Sequence, residues 1–255
     1  MVRGLFFDLY GTLLLYGDMD AAWDSWLGAL HEALTPRGLR LDREGLSRAC
    51  DGLFSGPDPS PLEGHTLYEG RIVELTGRFG IELDAVSLRR IADATVAAWQ
   101  EHVTLDPETR PLLEWLRPRV RLAVVTNFDH SPHVHRVLER FELVELLDCV
   151  VISGAVGVRK PDPAIFSGAL EATGLAPDQI AFVGDAPEDV AGARAAGMTP
   201  ICIRRDGAAD PSVVVDYRAD DAPRETGPDE PEDALVIRRL DDLRDLVTRW
   251  ERSDR

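Results

Sequence analysis

The stretch Leu5-Phe6-Phe7-Asp8-Leu9-Tyr10-Gly11-Thr12 ends an unbroken apolar run on a carboxylate, followed by a glycine and a hydroxyl. A run that is apolar at successive positions, with no alternation, suits a strand buried on both faces of a parallel sheet. Open sheets of that kind bind ligands at the carboxyl ends of their strands, which puts Asp8 at a ligand edge. Gly11 lets backbone come close to a ligand, and Thr12 can turn a hydroxyl and an amide toward an anion.

Further runs of the same character occupy residues 122–126, 149–152, 180–183 and 200–203, with a weaker one at 234–237. Between them, Asp106-Pro107, Ser131-Pro132, Asp162-Pro163 and Ala186-Pro187 put proline at first helical positions, three of them behind a capping side chain, and Gly174 and Gly197 supply stops. This alternation predicts an α/β protein with a Rossmann-like, doubly wound parallel sheet. Residues 15–104 break the rhythm. They carry helical spacing through Trp23, Trp26, Leu27 and Leu30, through Leu46, Ala49 and Leu53, and through Leu88, Ile91, Ala92, Thr95 and Trp99, around a Gly/Pro-rich loop at 55–64. The expected organisation is a core of 1–14 and 105–255 with an all-helical module of 15–104 inserted after the first strand.

Composition excludes several function classes. With 45 acidic against 28 basic side chains and a net charge of -17, the chain would repel nucleic acid. No stretch reaches the roughly 20 apolar residues of a membrane span, and Asp8 interrupts the N-terminal apolar run that could pass for a signal peptide. Three widely spaced cysteines without a C-x-x-C pair argue against zinc and fit a reducing, cytoplasmic compartment. Residues 206–233 hold ten acidic and two basic side chains with four prolines, which reads as a solvated loop.

Of the 28 basic residues, 27 are Arg and one, Lys160, is Lys. A lone compact ammonium in so Arg-biased a chain points to a tight site that a planar guanidinium would not fit. Lys160 lies in Gly157-Val158-Arg159-Lys160-Pro161-Asp162-Pro163, after the third run; the second run ends in Thr126-Asn127, and the fourth in Gly184-Asp185, followed by Glu188 and Asp189. Four strands thus bring a carboxylate, a hydroxyl-amide pair, a lone ammonium and a second carboxylate pair to one rim. Carboxylates with backbone carbonyls make a hard oxygen site suited to Mg²⁺. Lys160, Thr126 and backbone amides complement a phosphoryl group, and a strand-end Asp can be its nucleophile. His130, His133 and His135 cluster nearby, but His133 and His135 are two apart on a helix and face different ways, so a solvated helix start is expected there.

Asp8-Leu9-Tyr10-Gly11-Thr12, Thr126-Asn127, Lys160-Pro161-Asp162-Pro163 and Gly184-Asp185 with Asp189 resemble, in order, the four motifs of the haloacid dehalogenase-like (HAD) hydrolase superfamily, in its branch with a helical cap after the first motif. The resemblance implies Asp8 as nucleophile, Thr126 and Lys160 on the substrate's charged group, and Asp8, Asp185 and the Tyr10 carbonyl on Mg²⁺. Asp189 would be a partner of Lys160 or lie in the metal's outer shell. Gly11, Thr12 and Asn127 would border the substrate. The expected protein is a Mg²⁺-dependent phosphatase of a small phosphorylated metabolite, a monomer or homodimer, with an aspartyl-phosphate intermediate.

Two departures keep alternatives open. Superfamily phosphatases carry a second Asp two residues after the nucleophile, where this chain has Tyr10, a phenol whose ordinary pKa near 10 makes it a poor acid at neutral pH. Asp-x-Tyr-Gly-Thr also resembles the L-2-haloacid dehalogenases, yet those have Ser-Ser-Asn where this chain has Gly184-Asp185-Ala186, and a Tyr where it has Phe166. The third expectation is a slow HAD-fold protein that binds a phosphorylated ligand.

Overall fold

The computed structural model describes residues 2–205 and 234–253, so the acidic segment at 206–233 lies outside the described residues. The chain forms two compact units, one holding the described residues up to Leu15 and from Leu105 onward, the other Tyr16–Thr104.

The first unit is built on six parallel strands: β1 (Gly4–Phe7), β4 (Arg121–Thr126), β5 (Cys149–Ile152), β6 (Ile180–Gly184), β7 (Thr199–Ile203) and β8 (Leu235–Ile237). They lie in the order β5-β4-β1-β6-β7-β8, which numbered along the unit is 3-2-1-4-5-6, the doubly wound arrangement. Every expected apolar run is a strand. All four residues of β1 are buried, and neighbouring strands flank it on both edges. Burying Phe6 and Phe7 contributes about 1.5–3 kcal/mol each. The strand order reverses between β1 and β6, and the crevice at that point opens beyond Phe7 and Gly184.

The helices of this unit are α5 (Thr109–Leu116), α6 (Ser131–Arg140), α7 (Ser153–Val156), α8 (Ser167–Thr173), α9 (Pro187–Ala195) and α10 (Asp242–Ser253). Gly174 and Gly197 close α8 and α9 in the left-handed conformation. The expected proline-led starts hold with shifts. Asp162 caps a 3₁₀ turn by accepting from the Ala164 amide, whereas Ser131 already belongs to α6 and Asp106, three residues ahead of α5, accepts from the Glu108 amide.

Sequence patterning missed a two-stranded ribbon, β2 (Leu14–Tyr16) with β3 (Val103–Leu105), through which the chain leaves the first unit and returns. Three residues per strand are too few for any periodicity to register.

The second unit is helical: α1 (Met19–Leu34), α2 (Arg43–Ala49), α3 (Leu67–Gly77) and α4 (Ala85–Gln100). Asp18, Asp42, Thr66 and Asp84 each cap one of them through a side-chain oxygen. α1 packs on α4 and buries the stripe Ala22, Trp23, Trp26, Leu27, Leu30 and Leu34, with Trp23 and Trp26 stacked at 4.9 Å. Trp26 Nε1 donates to the Tyr68 hydroxyl at 2.6 Å, which shares a 2.5 Å hydrogen bond with Thr95, so the polar tips of these three buried side chains satisfy one another. The aromatics are core residues, as their spacing predicts.

Candidate active site

At the crevice, β1 delivers Asp8, whose amide donates to the Val183 carbonyl at 2.9 Å and so ties the end of β1 to β6. β6 delivers Asp185, the start of α9 delivers Asp189, and the loop after α7 delivers Lys160. Asp8, Asp189 and Lys160 are buried. The ammonium of Lys160 sits between two carboxylates, 2.5 Å from Asp8 Oδ1 and 2.6 Å from Asp189 Oδ1, with the Phe182 ring 5.3 Å away. The other Asp189 oxygen accepts from the Ala186 amide at 3.0 Å, capping α9. Asp189 is therefore spent on Lys160 and on the helix start. A Cβ on Gly184 would stand 2.3 Å from that second oxygen, so the strand end has to be glycine.

Thr12 donates to Asp185 Oδ1 at 2.9 Å, fixing the half-buried carboxylate from the β1 side. Gly11 lies against the same carboxylate: its φ is +83°, and a Cβ there would meet Asp185 Oδ2 at 2.1 Å. Asn127 grips the Lys160 backbone in both directions, accepting from its amide at 2.9 Å and donating to its carbonyl at 3.1 Å. Both polar ends of Asn127 thus serve Lys160, where sequence reasoning expected a substrate contact. Thr126 is buried at the end of β4.

Oxygens of Asp8, Asp185 and Asp189 lie within 4.8 Å of one another. Ionised, the three carboxylates and one ammonium sum to -2 in a buried site, and the electrostatics register the strain. Burial raises Asp8 to about 6 and Asp189 adds to it, although Lys160 pulls the other way. Asp185 is raised well above the carboxylate range by burial and by repulsion from Asp8 and Asp189. Burial opposes the Lys160 ammonium, but Asp189 and Asp8 outweigh it and hold its pKa above the usual value. A hard divalent cation balances a charge of -2, and carboxylate oxygens are its preferred ligands, so the donor set fits Mg²⁺.

Tyr10 is buried and stacks on Phe128 at 4.9 Å, which in turn stacks on His133 at 5.7 Å. Burial and then Asp8 push its phenol above its ordinary range, so it stays neutral. His130 and His133 are buried and His135 is exposed. The opposite facing of His133 and His135 holds, but His130 and His133 are buried where solvation was expected, and Phe128 stacks on His133.

A family model described as haloacid dehalogenase-like hydrolase matches residues 2–197, and a HAD-hydrolase-like model matches 157–243. The chain belongs to the haloacid dehalogenase-like hydrolases. This HAD hydrolase is 34% identical over 162 residues to a phosphoserine phosphatase of Thermus thermophilus, a match covering 62% of this chain and 64% of that protein, just under two thirds of the relative's length. In fold it is similar to a HAD phosphatase from Thermococcus onnurineus, with a TM-score of 0.66 and 24% identity over 96% of this chain and 98% of that one. It is also similar to a 2-haloacid dehalogenase from Pseudomonas syringae pv. Tomato, with a TM-score of 0.65 and 25% identity over 98% and 100% of the two chains.

Sequence reasoning missed Arg205, which donates to the carbonyls of Gly11 and Thr12, both at 2.6 Å, and to Asp106 at 2.7 Å. The signal was available: Arg204-Arg205 follows β7 at the same edge of the sheet as Asp8 and Asp185.

Proposed function

We propose that this HAD hydrolase is a Mg²⁺-dependent phosphatase of a small phosphorylated metabolite, with Asp8 as nucleophile. The observation that carries this reading is the buried constellation of Asp8, Asp185, Asp189 and Lys160, whose charge of -2 calls for a cation and whose ammonium stands beside the nucleophile. Asp8, Asp185 and the Tyr10 carbonyl would hold Mg²⁺. When bound, the ion supplies neutralisation of charge on the phosphoryl oxygens.

An oxygen of Asp8 attacks phosphorus, the bond to the ester oxygen breaks, and an aspartyl-phosphate forms. Lys160 keeps Asp8 ionised and offers its ammonium to the equatorial oxygens, joined by the Thr126 hydroxyl and the amides of the Gly11-Thr12 turn. Asp189 and Asn127 hold Lys160 in place from its two ends. Water then attacks phosphorus, restoring the Asp8 carboxylate and releasing phosphate. A neutral, buried Tyr10 does not replace a carboxylic acid, so the departing oxygen takes its proton from solvent or substrate, and good leaving groups are favoured. The 16–104 unit serves as the cap that selects substrate. The protein would work as a monomer or homodimer in a reducing cytoplasm, a compartment that suits the free thiols of Cys50, Cys149 and Cys202.

A second reading, haloacid dehalogenase, is favoured by Tyr10 packed on Phe128 and by the likeness to the Pseudomonas syringae enzyme. Without a cation, however, Asp185 beside Asp8 would repel a carboxylate substrate. Purified protein offered 4-nitrophenyl phosphate and 2-chloropropionate, each with and without Mg²⁺, separates the two. Mg²⁺-dependent phosphate release is expected, and metal-independent chloride release would replace this reading by the second.

A further inference from the structure

The guanidinium of Arg205 bonds the chain both before its crossing out of the first unit and after its crossing back. Nη1 donates to the Gly11 carbonyl and Nη2 to the Thr12 carbonyl, on the outgoing crossing, while Nη2 also reaches Asp106 Oδ2 on the returning one. The crossings are further stitched by the Asp106 amide and the Thr109 hydroxyl, both donating to the Leu13 carbonyl, at 3.1 and 2.8 Å. Thr109 is fully buried and Asp106 nearly so, and the side chains of Arg205 and Asp106 are only 15% and 7% exposed. Such a pair is held in one geometry, unlike a surface ion pair.

What Arg205 grips is the Gly11-Thr12 turn, and that turn does two things. The Thr12 hydroxyl fixes Asp185 Oδ1, and the Gly11 backbone is pressed against Asp185 Oδ2. Because the Gly11–Thr12 peptide is planar and trans, drawing the Gly11 carbonyl toward the guanidinium aims the Thr12 amide the opposite way, off the arginine. One side chain thus sets the direction of a backbone donor and the seat of a carboxylate that never touches it.

We propose that Arg205 is a positioning residue: by holding the carbonyls of Gly11 and Thr12 it fixes the Thr12 hydroxyl on Asp185, and with it the cation site, which rests on the Mg²⁺ reading given above. A bidentate fork is needed because two adjacent carbonyls are held at once, which an ammonium cannot reproduce in the same geometry.

The test is Mg²⁺ titration of the full chain by isothermal calorimetry, beside steady-state hydrolysis of 4-nitrophenyl phosphate, for wild type, Arg205→Met and Arg205→Lys. Arg205→Met is expected to weaken Mg²⁺ binding about 10- to 100-fold, as loss of a group that orients a metal ligand does. The Mg²⁺ concentration for half-maximal activity should rise in step, and Arg205→Lys should fall between. A role in stability alone would lower the melting temperature and leave the Mg²⁺ affinity of the folded fraction unchanged, which would overturn the proposal. If Arg205→Met does not fold, Arg205→Lys carries the same comparison, and wild-type affinity in it is the contradicting result. Wild type that neither binds Mg²⁺ nor releases phosphate would instead remove the phosphatase reading, a separate and distinguishable failure.

Discussion

The Lys160 ammonium donates to Asp8 Oδ1 at 2.5 Å across 152 positions of sequence, and both side chains are almost wholly buried. The contact joins the only lysine of the chain to the carboxylate at the end of the central strand. Burial raises the pKa of that carboxyl, and the ammonium opposes the rise.

Removing the ammonium leaves three carboxylates facing one another. Lys160→Met should lower the stability of the metal-free protein by about 3–5 kcal/mol, the cost of leaving buried charge without its partner. Lys160→Arg should not restore it, because a guanidinium does not fit between Asp8 and Asp189 in a site this closed. Denaturant unfolding of the three proteins measures both effects.

Asp8 and Asp185 make the metal-free protein sensitive to pH. A carboxyl whose folded pKa stands above its unfolded one adds stability that is complete below the unfolded value and is lost as pH rises through the folded value. For Asp8 that window runs from 3.8 to about 6, and Asp185 shifts in the same direction. A cation has to displace those protons, so the rise in melting temperature caused by Mg²⁺ should be small at pH 5 and full at pH 8, in thermal unfolding with and without Mg²⁺. An equal rise at both pH values would show that these carboxyls do not receive the ion.

Gly11→Ala places a Cβ where Asp185 Oδ2 now stands and demands a left-handed φ of an L side chain. Phosphatase activity should fall about 10²-fold, since displacing a positioned group by an ångström costs that much. Circular dichroism should show the helical content unchanged, because the turn lies outside every helix.

Tyr10→Asp supplies the missing acid. If the leaving oxygen now departs without help, hydrolysis of alkyl phosphates should rise by up to about 10²-fold while 4-nitrophenyl phosphate, with its good leaving group, changes little. The gain is offset in part by losing the stack on Phe128 and adding a carboxylate beside Asp8. A ratio of the two rates unchanged from wild type would mean that proton transfer to the leaving group is not limiting.

Much of this was legible in the sequence. Six strands announced themselves as apolar runs, most clearly the central β1, β4 and β6, which are buried almost throughout, and the polar residues at their ends marked one rim. Asp8, Lys160, Asp185 and Asp189 do converge there. What pattern could not give is who bonds whom. The hold of Asn127 on the Lys160 backbone, and that of Arg205 on Gly11 from 194 positions away, are single contacts made by folding, with no period to betray them. The stack of Phe128 on His133 is likewise a contact that no sequence spacing announces.

The account stands on Asp8 carrying the phosphoryl group. Acid quenching during turnover with a phosphate ester and Mg²⁺, followed by mass spectrometry of the peptide containing Asp8, measures this directly. A phosphorylated Asp8 is expected, which forms with Mg²⁺, is absent without it, and never forms in Asp8→Asn. Phosphate release at the full rate from an Asp8→Asn protein, or turnover with the Asp8 peptide unmodified at every quench time, would contradict it.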